Sequence, residues 1–414
     1  MDRLGVFIID NTELNDTAIR EILHQLRPEL QPKARRSRCL GHIINLAAKA
    51  FLFGTSTKAF EAATSVIDED KAPVDSDAMK EAQKAWRNQG AIGKLHNLIV
   101  FIRGSPQRRE VFKRKLVGDS EVDNLMPILD NSTRWNSTYQ SLERALLLRD
   151  RIFLFCREFQ SDLEADHLSE SDWSHLAAVY QGLKPFYQAT LRIEGKATGG
   201  HHGAIWEALP LLEALLSVTE DGRHYEEVNG RGLQPLAIAY QNAWEKLQKY
   251  YNKTDEAHSI YAAAVLLHPS YRKQYFDDKW KTPELRRWKS VMVDNIKDVW
   301  RTEYGGDSEQ PQTSLPPTDD ILDQYLRRAT AQNGDSFDSF IHGPVVEFNE
   351  GADVYSWLKD NCSSLIRRQA LDLLSIPAMS AEVERVFSSA KLLITPQRNS
   401  LLDERIKYLE LLRY

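Results

Sequence analysis

The sequence predicts a mainly α-helical chain that opens with a buried β-strand. Three observations carry this reading. Residues 4–9 are a continuous apolar run rich in β-branched side chains, ending at Asp10 and Asn11, as a buried and mostly parallel strand reads. From about residue 43 to about residue 300 the hydrophobic period is helical almost throughout. Roughly the last sixty residues return to helical spacing after a stretch rich in Gly, Pro and polar side chains.

Composition bounds the rest. With 414 residues, 42% hydrophobic and 27% charged, the chain can bury a sizeable core, which excludes a collagen-like chain and wholesale disorder. Three cysteines cannot build a disulfide framework, and the expected compartment is reducing and intracellular. The net charge of −6 leaves a nucleic-acid partner open, because the footprint of such a partner is a local basic patch. No stretch reaches the ~18 apolar residues of a membrane span, and the first apolar run is too short for a signal-peptide core. No membrane association is expected.

Each element then follows in order. After the strand, Asn15 or Asp16 can cap a helix running to Leu26, with Ile19, Ile22, Leu23 and Leu26 on one face. Pro28 and Pro32 end it, and a basic cluster of Lys33, Arg35, Arg36 and Arg38 leads into Cys39-Leu40-Gly41-His42 and an apolar run. Helical spacing places further helices at 91–102, 138–159, 176–194, 204–219 and 236–251, and 260–267 reads as a short core helix. Residues 68–77 are acidic and read as an exposed loop, and 302–319 as a linker. Residues 333–351 are similar, but Phe337, Phe340 and Phe348 imply partial docking. Trp357, Leu358, Leu365, Ala370 and Leu373 fit one helical face, Ile376-Pro377 breaks it, and Ser380 can cap a second helix. A last stripe of Leu402, Ile406 and Leu409 follows the turn at 395–399.

Several residues could carry chemistry, and each also has a plain structural role. Asp10, at the carboxyl end of the first strand, sits where open α/β sheets bind ligands and metals, or it is a helix cap. Cys39-x-x-His42 has the spacing of one zinc pair, but a closed site needs four ligands, so a packed Cys and a hydrogen-bonded His fit better. Glu384 lies in a first helical turn that the macrodipole favours in any case. Arg103, Arg108, Arg109, Lys113, Arg114 and Lys115 stand against Glu110 alone. With Lys33–Arg38 they form two basic clusters that suit a phosphate backbone or are solvated helix faces. Trp135, beside Arg134, can stack on a base or belong to the core. No Gly-rich phosphate loop and no hydrolase or zincin motif is present.

Four segments in order resemble the hAT (hobo/Ac/Tam3) superfamily of DNA transposases in its fungal form. These are Gly5–Asn11 with Asn15-Asp16, Arg38–Leu46 with its Cys-x-x-His, Thr133–Thr138 with its Arg-Trp-Asn-Ser, and Leu374–Leu401 through Glu384-Arg385-Val386-Phe387-Ser388. The resemblance implies a partial α/β RNase H-like core over 1–42, interrupted by a large all-α insertion over 43–365. A core-closing helix and the hAT dimerisation region would occupy 366–414. It implies that Asp10 and Glu384 are catalytic carboxylates and Mg or Mn ligands, two-metal chemistry being the mode of such cores. It makes Arg134 and Trp135 DNA contacts, together with Arg108, Arg109, Lys113, Arg35 and Arg36. Cys39 and His42 become a structural motif, and Trp357, Leu402 and Ile406 a self-complementary dimer surface. The family's first catalytic Asp and its BED zinc finger precede the strand that Asp10 ends, so an N-terminally truncated copy is expected. The expectation is a nuclear, homo-oligomeric DNA-binding protein defective in cleavage and strand transfer. The alternative is a domesticated regulatory protein acting through dimerisation alone.

Overall fold

The computed structural model describes residues 6–11, 13–28, 32–54, 76–115, 124–130, 135–194, 203–229, 234–255, 260–304, 336–348 and 353–380. The chain is mainly helical. Strand β1 (Phe7–Ile9) pairs in parallel with β2 (Arg36–Arg38), in the register Phe7 to Arg36, Ile8 to Ser37 and Ile9 to Arg38. Helix α1 (Glu13–Leu26) joins them, the helical crossover that a parallel pair requires. It begins before Asn15 and Asp16, so neither is its cap. Both fall in its first turn, and Ile19 and Leu23 supply its buried face while Ile22 and Leu26 are exposed.

The chain forms two compact units, each discontinuous in sequence: residues 1–42, 191–212 and 251–414, and residues 43–190 with 213–250. Residues 251 onward belong to the same compact unit as the first 42 residues, tied by contacts that sequence proximity cannot show. The Tyr261 hydroxyl accepts from the Arg38 N–H at 2.5 Å, and Arg35 pairs with Glu303 at 2.6 Å.

In the first unit the hub is α11, numbered in chain order (Ile260–Leu267), whose eight residues are all buried. It touches the turn at Ile205–Glu207 and four helices: α12 (Arg272–Lys279), α13 (Pro283–Tyr304), α14 (Ser336–Ile341) and α16 (Ser364–Leu374). A helix with neighbours on every side has no polar face, which is why its sequence reads as one apolar run. Phe337 and Phe340 of α14 are buried, as the aromatic content of that stretch suggested. The single expected helix after residue 354 is two: α15 (Val354–Asn361), capped by Asp353, and α16, capped by Ser363. The break shifts the phase, so Ile366 and Leu374 are buried in place of Leu365 and Leu373.

In the second unit α3 (Ser76–Arg87) packs on α4 (Ala91–Arg103), and α5 (Pro106–Arg114) on both α4 and α7 (Arg149–Glu158). The expected helix over 138–159 is likewise two, α6 (Trp135–Leu147) and α7. The loop expected at 68–77 ends in helix at Ser76, and the linker expected at 302–319 begins as the last turn of α13; the remainder of both lies outside the described residues. Longer helices complete the chain: α2 (Leu40–Phe53), α8 (Glu170–Glu194), α9 (Ala208–Asn229) and α10 (Gln234–Asp255). No helix of the described residues is long and apolar enough to cross a membrane.

Candidate functional site

The carboxyl ends of β1 and β2 form the first candidate. Asp10 follows β1 and is exposed, and the Asn15 side-chain amide donates to its Oδ1 at 2.5 Å. Arg36 donates to the Asp10 backbone carbonyl at 2.9 Å and ion-pairs with Asp16, which also lies 3.8 Å from Arg38. Burial and the neighbouring Arg38 push the Arg36 pKa down to about 10, still cationic at neutral pH.

The segment after α16 is stitched to the same place. Ala378 accepts from the Leu40 N–H at 3.0 Å and donates to the Gly203 carbonyl at 2.8 Å, and Ile376 accepts from the Ile205 N–H at 2.8 Å. Met379 packs against the bare Cα of Gly41, where a Cβ would meet its methyl at 2.8 Å. Cys39 is buried; its N–H donates to the Ile9 carbonyl at 3.1 Å, and the Ser380 hydroxyl lies 3.4 Å from its sulfur. Ser380 thus sits beside Cys39, the residue that follows β2. Glu384, four positions on, lies outside the described residues.

Two bridging metal ions need several acidic oxygens around them. Among the described residues no group of three or more His, Cys, Asp or Glu side chains could hold a metal ion. Asp10 already accepts from Asn15, and the guanidinium against it adds positive charge where a cation would sit. Of the two expected metal ligands only Asp10 lies among the described residues. Cys39, of the Cys-x-x-His pair, is buried with the Ser380 hydroxyl beside its sulfur.

The expected DNA contacts separate into internal and external groups. Trp135 is 3% exposed and stands edge-on to Phe186 at 6.4 Å, so its indole is core and has no face for a base. Arg36 is buried, and Arg35 is paired with Glu303. Arg108 lies 3.8 Å over the Phe101 ring and donates to the Phe101 carbonyl, closing the end of α4. Arg109 is exposed and donates to the Arg103 carbonyl at 2.6 Å. Lys113 pairs with Glu110 at 3.0 Å, and Arg114 is exposed beside it. With Arg108 packed on Phe101 and Lys115 paired with Glu158, the outer face of Pro106–Arg114 carries Arg109, Lys113 and Arg114 against Glu110. Arg134 lies outside the described residues. So do Leu402 and Ile406, while Trp357 is half-buried beside Phe348 and Arg272 of its own chain.

Residues 37–181 match the ZBED1 RNase-like helical domain, and residues 336–414 match the hAT family C-terminal dimerisation region. A protein named as a transcriptional regulator, tpeD of Talaromyces stipitatus, is 25% identical over 346 residues, covering 77% of this chain and 35% of its own length. One named as an AC transposase, of Zea mays, is 21% identical over 435 residues, covering 98% of this chain and 48% of its own. The zinc finger BED domain-containing protein DAYSLEEPER of Arabidopsis thaliana is 24% identical over 302 residues, covering 68% and 40%. The chain spans less than half the length of these three relatives.

Proposed function

From the premise that this chain is hAT transposase-related and carries a hAT dimerisation region, we propose that it binds DNA as a homodimer and does not itself cut or join strands. The observation that carries the DNA half is the basic outer face of α5. Arg109, Lys113 and Arg114 project from a helix whose only acid is Glu110, and neutralising phosphate charge is the general source of DNA affinity. The RNase H-like reading of β1, α1 and β2 rests on the parallel pair, the name of the matched domain and the approach of Ser380 to Cys39. The Asn15 bond and the Arg36 charge at Asp10 support a strand end that holds shape without binding metal. Work on DNA puts the protein in the nucleus.

A second reading, a regulator acting through protein association alone, is favoured by the relative named as a transcriptional regulator. DNA affinity separates the two. Fluorescence anisotropy with a random-sequence duplex across salt concentrations should give a steep log–log decline, about 0.9 per phosphate neutralised. The triple variant R109Q/K113Q/R114Q should flatten it. Affinity that is absent or indifferent to salt overturns the DNA reading and leaves the second.

A further inference from the structure

Within the first unit, a pocket of about 420 Å³ lies between α12, the segment after α14, and the junction of α15 with α16. Arg272 is its cation. It is 5% exposed, stands at a positive φ of 49°, and makes no ion pair and no side-chain hydrogen bond with the described residues; its Nε is buried without an acceptor. Two rings cover the guanidinium carbon, Phe340 at 4.6 Å and Trp357 at 5.5 Å. Aromatic faces attract the charge but take none of the in-plane N–H groups. Gly343 makes the space: a Cβ there would run into Nη1 of Arg272. Burying a cation without an anionic partner is costly, and the fold holds one at a cavity wall.

Two further features point the same way. The N-terminal end of α16, capped by Ser363, lines the pocket and adds the positive end of a helix dipole. Cys362, also on the wall, has its thiol pushed up to about 11 by burial, so it is neutral and supplies no counter-charge to Arg272.

We propose that this pocket binds a carboxylate, gripped in the plane of the Arg272 guanidinium, with its organic body against the aromatic wall. One cation and one helix end match a single negative charge and a planar two-oxygen fork; a phosphate dianion asks for more charge than the wall offers. The carboxylate is that of a small organic acid or of an acidic side chain on a peptide.

The test uses the full chain and saturation-transfer NMR titrations of benzoate, its neutral isostere benzamide, inorganic phosphate and an acetyl-capped Glu amide. Benzoate should bind at least tenfold tighter than benzamide and than phosphate, and Arg272→Met should remove that preference. Benzoate bound alone assigns the small-acid source, and the Glu amide bound as well assigns the peptide source. Should Arg272→Met fail to fold, Ser339→Trp, an exposed rim change that leaves Arg272 in place, should weaken benzoate at least tenfold. Equal binding of benzoate and benzamide, phosphate tighter than benzoate, or benzoate binding unchanged in either folded variant overturns the proposal.

Discussion

His268 sits in an aromatic cluster, its ring 4.3 Å from Trp206 and 4.8 Å from Tyr271, and its Nδ1 accepts from the Ser270 N–H at 3.2 Å. It is 3% exposed, and burial pushes its pKa down to about 3. The unfolded chain takes up a proton near pH 6.5 that the folded chain refuses. Stability from this residue is therefore complete above about pH 6.5 and falls as pH drops toward 3, by about 1 kcal/mol per pH unit. Urea unfolding from pH 7 to pH 4.5 should show that loss, and His268→Phe, which keeps the ring contacts, should show less of it. An equal slope in both chains would assign the acid sensitivity elsewhere. At this scale the sequence misleads where one residue type has two uses. Trp135 and Arg36 look like ligand contacts because Trp and Arg contact nucleic acids, yet each is consumed inside the fold by a partner distant in sequence, Phe186 or Asp10. Arg272 carried no signal at all, since its aromatic neighbours lie 68 and 85 positions away.

Between elements, α3 and α4 approach each other closely at Gly93. Gly93 faces the α3 backbone so closely that a Cβ would overlap the Trp86 carbonyl, and Trp86 then stacks on His96 with ring centroids 3.7 Å apart. His96 in turn meets Asp130 at 2.7 Å, a buried pair that Thr138 of α6 completes. Gly93→Ala should destabilise the protein by about 1–3 kcal/mol, because a backbone carbonyl cannot step aside as a side chain can. Chemical denaturation reads this directly, and a cost near zero would mean the helices separate freely. Helix existence was legible here, since an apolar face repeats every three to four residues whatever it packs on. Helix ends were less so: the breaks at Leu148 and at Cys362-Ser363 carry neither Gly nor Pro, and the turn there is settled by packing and capping. The strand pair was half legible: β1 was legible as a strand, though Phe7–Ile9 are half-buried and not buried as expected, and the basic β2 only as the approach to Cys39.

For the whole molecule, the two compact units are discontinuous in sequence. The first 42 residues are bonded to Tyr261, Ala378 and Ser380, and Ala378 in turn to Gly203. The C-terminal region is where self-association is expected, because residues 336–414 match the hAT dimerisation region. α15 and α16 of that region bury Leu358, Ile366 and Leu374 within their own chain. A charge placed in such an interface must be desolvated, so Leu402→Asp with Ile406→Asp should separate the subunits without unfolding them. Sedimentation velocity at micromolar concentration tests the account most directly. Wild type should sediment at twice the 47.5 kDa chain mass and the double variant at 47.5 kDa with unchanged helix content; a wild-type chain at 47.5 kDa would contradict it.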